Sequence, residues 1–341
     1  MKKVSIVVTS RNDNHGGNLL QRMQIFVNGL LAQCQRHNLD AELVLVEWNP
    51  PADKPRFAEA LSWPTKSSPC NVRIIEVSPE IHRRYQYSEQ LPLFQMIAKN
   101  AGIRRVYGQF VLATNIDILF SDAMMRFLAS SRLRKGIMYR VDRLDVPAEV
   151  PTDASIEAQL AYCQQHVMRV YARDGIQDMR TGAYYEGYPK LTWQGWMREK
   201  MQDLGGMRVI NRSRLHTRAC GDFTLMQSEH WFDLRGYAEF EMYSLHIDSL
   251  LCYAAYHHSI RERVLLMPKS IYHIEHAIGS GWVPEGEQQL TDRLKRSGIP
   301  QISYEQFDAW AVRMRKEQKP IIFNKDIWGL NGEDLPEIRI S

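Results

Sequence analysis

The first half of the chain alternates short apolar runs with longer amphipathic stretches. The apolar runs are Val4 to Thr9, Glu42 to Glu47, Val72 to Val77 and Phe110 to Thr114. Runs of this length that are rich in β-branched residues predict buried strands. Between them, Asn18 to His37, with Asn18 at the N-cap, and Leu91 to Val106 have apolar residues at helical spacing. Strands and helices that alternate in this way predict a largely parallel sheet with helices on both faces.

The pattern changes in the second half. Residues 143–218 are weakly periodic and rich in Tyr, Gln, Arg and Gly. We interpret this segment as an inserted lid, because it is short and the apolar pattern resumes after it. A helix from Tyr243 to His258, a strand from Val264 to Met267 and a polar C-terminal portion are predicted to complete the chain.

Composition narrows the class of protein. The chain has 341 residues, of which 44% are hydrophobic, so it can bury a large core as one domain or two closely packed ones. Its net charge of +4 comes from 43 basic and 39 acidic residues, which is too balanced to indicate a nucleic-acid-binding protein. Five scattered cysteines without a CxxC pair favour reduced thiols. With neither a signal peptide nor an apolar run of about 18 residues, we expect a cytoplasmic protein, and peripheral membrane contact is left open.

Polar residues directly follow three of the predicted strands. They are Arg11, Asn12 and Asp13 after the first, Glu47 and Asn49 at the second, and Asn115 and Asp117 after the fourth. In open α/β sheets the carboxyl ends of the strands meet at one crevice, where ligands bind. A carboxylate at the end of a buried strand is costly unless a cation meets it. The spacing around Asp117 therefore suggests a site for a divalent metal and a diphosphate.

The order of these motifs resembles glycosyltransferases of the GT-A fold. The first half contributes Arg11-Asn-Asp13, Glu47-Trp-Asn49, Lys99-Asn-Ala-Gly102 and the run from Gly108 to Asp117. The second half contributes Gly221-Asp-Phe223, Trp231 to Glu239, and Asp248, as in family 2 and galactosyltransferase-type enzymes. The element Val46 to Asn49 also resembles exostosin-like transferases. The resemblance covers roughly residues 4–125 and 219–280.

The resemblance implies a fold and an activity. The fold is α/β of the GT-A type, in which a mostly parallel central sheet is flanked by helices. Residues 1–142 would form a Rossmann-like nucleotide-sugar-binding half, 143–218 the lid, 219–285 the acceptor and catalytic half, and 286–341 a C-terminal helical extension. The activity is transfer of a hexose from a nucleotide-diphosphate sugar, such as a UDP-sugar, to a glycan or glycoconjugate in polysaccharide biosynthesis. A divalent cation, Mn²⁺ or Mg²⁺, would neutralise the departing diphosphate.

The implied metal ligand is Asp117, with His273 or His276 as a further ligand. The first acidic position of the metal motif is occupied by Asn115, which leaves a single carboxylate to carry the metal charge. If residues 271–276 form one strand, the two imidazoles face opposite sides, so only one reaches the metal unless a turn intervenes.

The remaining candidates divide between the donor and the acceptor. For the donor nucleotide they are Thr9, Arg11, Asp13, Glu47, Asn49, Lys99, Asn100, Arg104, Asn115 and Ile116. For an inverting transfer, a carboxylate must take the proton of the acceptor hydroxyl, and the resemblance favours Asp248. Glu239 competes for that role, and Asp222 is placed to bind acceptor hydroxyls. Aromatic residues of the lid, among them Tyr184, Tyr185, Tyr188, Trp193 and Trp196, are candidates for stacking on sugar rings.

Two alternatives remain open from the sequence. A nucleotidyltransferase shares the layout of a nucleotide over strand ends, but Asn14-His-Gly-Gly17 lacks the nearby Lys of a phosphate-binding loop. A catalytically silent sugar-binding module of the same fold is favoured by Asn115 in the metal motif. The donor sugar, the acceptor and the stereochemical outcome are left undetermined.

Overall fold

The computed structural model describes residues 2–64, 68–185, 215–276 and 286–340. The strands are β1 (Val4–Ser10), β2 (Ala41–Trp48), β3 (Cys70–Val77), β4 (Phe110–Thr114), β5 (Ile118–Phe120), β6 (Ile137–Val141), β7 (Arg143–Val146), β8 (Arg169–Ala172), β9 (Gly175–Asp178), β10 (Tyr184–Tyr185), β11 (Phe223–Gln227), β12 (Arg261–Leu265), β13 (Ile271–Ile274) and β14 (Glu337–Ile340). The helices are α1 (Leu19–Arg36), α2 (Phe57–Ala60), α3 (Pro79–His82), α4 (Gln95–Ile103), α5 (Asp122–Ala129), α6 (Ile156–Gln165), α7 (Ser228–Asp233), α8 (Ile247–His257), α9 (Glu287–Arg296) and α10 (Tyr304–Glu317).

An eight-stranded central sheet has the strand order β12-β6-β11-β4-β1-β2-β3-β14. Strands β1 to β4 are parallel to one another, and β12 is parallel to β6. Strand β11 runs antiparallel between β4 and β6, and β14 runs antiparallel at the edge beside β3. The predicted α/β fold class, with a mostly parallel central sheet flanked by helices, is thereby confirmed.

Side chains of the central strands alternate between two hydrophobic layers. In β1, Ile6 and Val8 pack with Met23 and Phe26 of α1, whereas Val7 packs on the other face with α4 and α8. Helix α4 approaches the sheet closely, since a Cβ at Gly102 would lie only 2.7 Å from Cγ1 of Val7. Among the described residues both faces of the sheet are therefore covered, which leaves the strand ends as the expected place for a ligand.

The segment predicted as a lid contributes β7 to β10 to a second sheet. Its strand order is β10-β9-β8-β7-β13-β5, so the insertion pairs with β13 from the C-terminal half and with β5 from the first half. A third hydrophobic cluster, which includes Ile25, Leu119 and Tyr272, lies between this second sheet and α6. Tyr184 and Tyr185 form the outer strand β10. Tyr188, Trp193 and Trp196 lie outside the described residues.

Several element boundaries differ from the predicted ones. Helix α4 begins at Gln95 rather than Leu91, because the proline at position 92 disfavours a helical residue before it. Helix α8 begins at Ile247 rather than Tyr243, after a left-handed residue at His246. The strand predicted from Val264 to Met267 is β12, which begins earlier, at Arg261, and ends at Leu265. Because β12 lies at the edge of the sheet and is half exposed, its first residues are polar and gave no apolar signal. In the ranges that the structure describes, no helix is both long and apolar enough to cross a bilayer.

Candidate active site

A cavity of about 600 Å³ opens where the central sheet meets the second sheet. Its walls come from the carboxyl ends of β1 and β4, from the start of β11 and from β13. Helices α8, α9 and α10 close the far end. Of the predicted site residues, the ones that line the cavity are Thr9, Arg11, Asp13, Asn115, Ile116, Asp117, Asp222, Asp248, His273 and His276.

The antiparallel direction of β11 brings Asp222 to the carboxyl end of β4. Phe223 pairs with Thr114, so the residue before β11 lies beside the residue after β4. Asn115 donates a hydrogen bond from Nδ2 to Oδ1 of Asp222, and Nη1 of Arg143 lies 2.8 Å from Oδ2. The asparagine of the metal motif therefore positions a second carboxylate in the cavity.

The second sheet brings both histidines to Asp117. His273 pairs with Ile118 across β13 and β5, next to Asp117 in the chain. Strand β13 ends at Ile274, so His276 lies beyond it and is free of the strand alternation. Nε2 of His276 lies 3.6 Å from Oδ2 of Asp117, and Nε2 of His273 lies 3.8 Å from it. Both imidazoles thus face the same carboxylate.

Arg22 of α1 binds the same carboxylate. Its Nη1 lies 2.9 Å from Oδ2 of Asp117, and its other N–H groups donate to the carbonyls of His15 and Gly17. The loop after β1 therefore presents carbonyl oxygens to a guanidinium. A phosphate-binding loop would instead present backbone N–H groups to an anion.

Electrostatics favour an ionised Asp117 and a neutral His276. Burial acts to raise the pKa of Asp117, but the charges of His273 and Arg22 oppose this effect, and the pKa lies below its ordinary value. Burial lowers the pKa of His276 to about 4, against the opposing effect of Asp117. At neutral pH the ring of His276 therefore keeps a lone pair, which a metal ligand requires.

Asp117, His273 and His276 fit a divalent cation. Each offers one ligand atom, and these atoms lie within 4.8 Å of one another. Oδ1 of Asp117 is buried and accepts no hydrogen bond from any described residue, whereas Oδ2 is engaged by Arg22. A buried carboxylate oxygen without a partner is costly, and a cation would satisfy it. One carboxylate oxygen and two imidazole nitrogens form a mixed donor set of the kind that suits transition metals such as Mn²⁺.

Asp248 lies in the first turn of α8 and lines the same cavity as the histidines. Its Oδ1 accepts a hydrogen bond from the N–H of Ser249, and its Oδ2 points towards Gly221. A Cβ at Gly221 would lie 3.0 Å from that oxygen, so a larger residue there would press on the carboxylate. Asp248 and Asp222 both line the cavity, at the two sides of Gly221.

Two predicted donor residues at the end of β2 do not line the cavity. Both oxygens of Glu47 accept the N–H of Phe57, at 3.1 and 3.2 Å, so the carboxylate holds the start of α2. Burial raises the pKa of Glu47 to about 7. The side chain of Asn49 donates to the carbonyl of Pro92. Both residues lie at the end of β2, as predicted, but their side chains bond to the backbone of Phe57 and Pro92 and do not face the cavity.

Four further candidates also lie behind the cavity wall. Lys99 is fully buried and donates to the carbonyl of Gly221 at 2.7 Å, and burial lowers its pKa to about 8. Asn100 donates to Glu239, whose carboxylate also accepts the N–H of Gly329. Arg104 lies over the rings of Phe232 and Trp328. All four residues therefore help to pack α4, and none of them lines the cavity.

The sequence analysis did not identify Arg22, Arg143 or the C-terminal helices as parts of the site. Arg22 carried a signal, because it lies three residues after Leu19 and four before Phe26, on the buried face of its helix. Arg143 similarly lies within a wholly buried strand. The far wall of the cavity includes Tyr243, Arg293, Leu294, Tyr304 and Phe307. The predicted C-terminal extension therefore takes part in the site.

The chain matches no protein-family profile and none of the curated proteins compared with it. It is similar to several solved structures of glycosyltransferases. One is S. aureus TarS, at 12% identity and a TM-score of 0.43, where the match covers 80% of this chain and 36% of the other. Another is S. aureus TarS 1-349 in complex with UDP, at 12% identity and a TM-score of 0.41, covering 92% and 72%. A third is the catalytic domain of Drosophila beta1,4galactosyltransferase 7 in complex with xylobiose, at 9% identity and 0.34, covering 79% and 67%.

The present chain spans little more than a third of the length of the first TarS chain. Every TM-score quoted is below 0.5.

Proposed function

We propose that this protein is a glycosyltransferase that moves a hexose from a UDP-sugar or similar donor to a glycan or glycoconjugate, with the help of a divalent cation. The observation that carries the proposal is that a single cavity at the strand ends is lined by a possible metal site and by two further carboxylates. Asp117, His273 and His276 line this cavity together with Asp248 and Asp222, and the first three form a possible metal-binding group. Sugar transfer needs both a cation for the leaving diphosphate and a carboxylate base for the acceptor hydroxyl.

The chain's own residues divide this work. Asp117, His273 and His276 would hold Mn²⁺, which when bound shields the negative charge that develops on the diphosphate. Arg11 lines the cavity on the donor side, where a guanidinium can bind phosphate or ribose oxygens. Asp248 would accept the proton of the attacking hydroxyl, and Asp222, held by Asn115 and Arg143, would orient that hydroxyl.

The nucleotidyltransferase alternative loses its support at the loop after β1. That loop offers carbonyls to Arg22, so it does not form a backbone anion site. We extend the proposal to a role in building a polysaccharide or glycoconjugate in the cytoplasm, where reduced cysteines are expected.

Calorimetry with UDP, in the presence and absence of Mn²⁺, tests the proposal. Binding that Mn²⁺ strengthens, together with donor hydrolysis or transfer to a glycan, supports a metal-assisted transferase. Binding of UDP without any turnover of UDP-sugars would instead indicate a silent sugar-binding module. A chain that binds no uridine nucleotide under either condition would rule out the proposed donor.

A further inference from the structure

Asp145 lies at the centre of a row of polar side chains that crosses the second sheet. In the strand register, Asp145 pairs with Arg169 on β8 and with His273 on β13. Arg169 pairs in turn with Asp178 on β9. Residues in register on adjacent strands point to the same face, so an alternating row of charges ends at His273, beside Asp117.

The contacts of Asp145 are all with cationic or hydrogen-bonding groups. Its Oδ1 lies 3.2 Å from Nδ1 of His273 and 2.9 Å from Nε of Arg143, and its Oδ2 lies 3.4 Å from Nη1 of Arg169. The side chain is fully buried. Two guanidinium groups, of Arg143 and Arg169, lie beside this buried carboxylate and favour its ionised form.

An ionised carboxylate can only accept hydrogen bonds. Nδ1 of His273 must therefore carry a proton wherever it bonds to Asp145. In the neutral ring the lone pair is then on Nε2, the nitrogen that lies 3.8 Å from Oδ2 of Asp117. Because Arg143 and Arg169 hold the carboxylate from two other directions, Asp145 cannot turn away from the ring.

We propose that Asp145 is a positioning residue that fixes the tautomer and the direction of His273, so that Nε2 is presented to a divalent cation beside Asp117. The cation belongs to the proposed function, whereas the orientation of the ring does not depend on it. Carboxylates that accept the far N–H of a ligating histidine orient the ring and increase its basicity as a ligand. Asp145 does not line the cavity, so it acts on a cation only through His273.

The chain contains a matched control. Asp142 and His216 form a second carboxylate–imidazole pair, with Oδ1 and Nε2 3.0 Å apart, and neither residue lines the cavity. An Asp142→Asn substitution therefore makes the same chemical change to a similar pair that has no route to Asp117.

The first measurement uses the unaltered, metal-free chain. Imidazole ¹⁵N NMR, with the signals of His273 assigned by a His273→Gln variant, reports which ring nitrogen carries the proton. We expect the proton of the neutral ring on Nδ1. A proton on Nε2 would overturn the proposal, whether or not the chain binds a metal, and no variant of Asp145 has to fold for this result.

The second measurement is the affinity of the full chain for Mn²⁺, determined by calorimetry. An amide at position 145 can either donate or accept, so it no longer dictates the tautomer of His273. We expect Asp145→Asn to bind Mn²⁺ about 10- to 100-fold more weakly, and Asp142→Asn to stay within about twofold of the unaltered chain. Unchanged Mn²⁺ affinity in a folded Asp145→Asn variant would overturn the proposal. If the unaltered chain binds no Mn²⁺, metal assistance fails, and the NMR result alone decides the role of Asp145.

Discussion

Nη1 of Arg22 lies 2.9 Å from Oδ2 of Asp117, although the two residues are 95 positions apart in the chain. Both side chains are almost completely buried. The chain itself therefore neutralises one oxygen of the carboxylate, while the other is left without a partner among the described residues. Stability and cation binding are consequently linked at this one group.

Removal of Arg22 should destabilise the protein. Arg22→Met removes the guanidinium partner of the buried Asp117 carboxylate, which lowers the free energy of unfolding by about 3 to 5 kcal/mol. Urea denaturation measures this loss. Added Mn²⁺ should restore part of the stability, since it binds the folded state alone. The double variant with Asp117→Asn removes both charges and should lose less than Arg22→Met; an equal or larger loss would contradict the pairing.

Asp117→Ala should abolish the dependence of UDP affinity on Mn²⁺. The substitution removes the carboxylate from the ligand set, so calorimetry should give the same UDP affinity with and without the metal. Asp13→Ala is the matched control, because Asp13 also lines the cavity and pairs with an arginine, Arg11. That variant should retain the effect of Mn²⁺. Retention of the effect in Asp117→Ala would place the cation elsewhere.

Asp248→Asn should lower turnover and leave donor binding intact. Loss of a general base typically costs about 10²- to 10⁴-fold in rate. We expect kcat for sugar transfer to fall by that amount while the calorimetric affinity for UDP is unchanged. Asp222→Asn provides the comparison, since it should raise KM for the acceptor more than it lowers kcat. If transfer is unaffected in Asp248→Asn and abolished in Asp222→Asn, the two assignments must be exchanged.

Glu239→Gln should affect stability and not catalysis. The carboxylate accepts from Nδ2 of Asn100 at 3.0 Å and from the N–H of Gly329 at 2.7 Å. Loss of charge at one such buried acceptor costs about 1 to 3 kcal/mol. Thermal denaturation should show this loss, whereas kcat/KM should match that of the unaltered protein. A variant of normal stability with much lower kcat/KM would return Glu239 to the catalytic candidates.

The free energy of unfolding should fall in mild acid because of His216. Burial lowers the pKa of His216 to about 4, so below its ordinary value of 6.5 the unfolded chain binds a proton that the folded chain does not. Stability from this group is therefore lost between about pH 6.5 and pH 4, by at most about 1.4 kcal/mol per pH unit. Denaturation at a series of pH values should show a shallower slope for His216→Gln. The same substitution at the exposed His166 should leave the slope unchanged; equal slopes in both variants would exclude His216 as the cause.

Strands β1 to β4 and the helices α1 and α4 could be predicted because their signals are local, whereas the four-residue helices α2 and α3 were not predicted. Each strand contains a short run rich in apolar, β-branched residues, and α1 places its apolar residues at helical spacing. Convergence of Asp13 and Asp117 on one cavity followed from the general rule for parallel strand ends. The second sheet could not be predicted in this way. Its strands β5, β7 and β13 are three or four residues long and pair across more than a hundred positions.

The local sequence pattern determined which residues are candidates for the site, and the tertiary structure determined where their side chains point. Residue type and position after an apolar strand selected Asp117, and the family resemblance selected Asp248 and His273; all three line the cavity. The same criteria selected Glu47 and Glu239, which the fold gives to backbone N–H groups nearby. The pattern could not distinguish these outcomes, because a buried carboxylate is satisfied equally by an amide or by a cation, and only the positions of distant elements decide which of them is within reach.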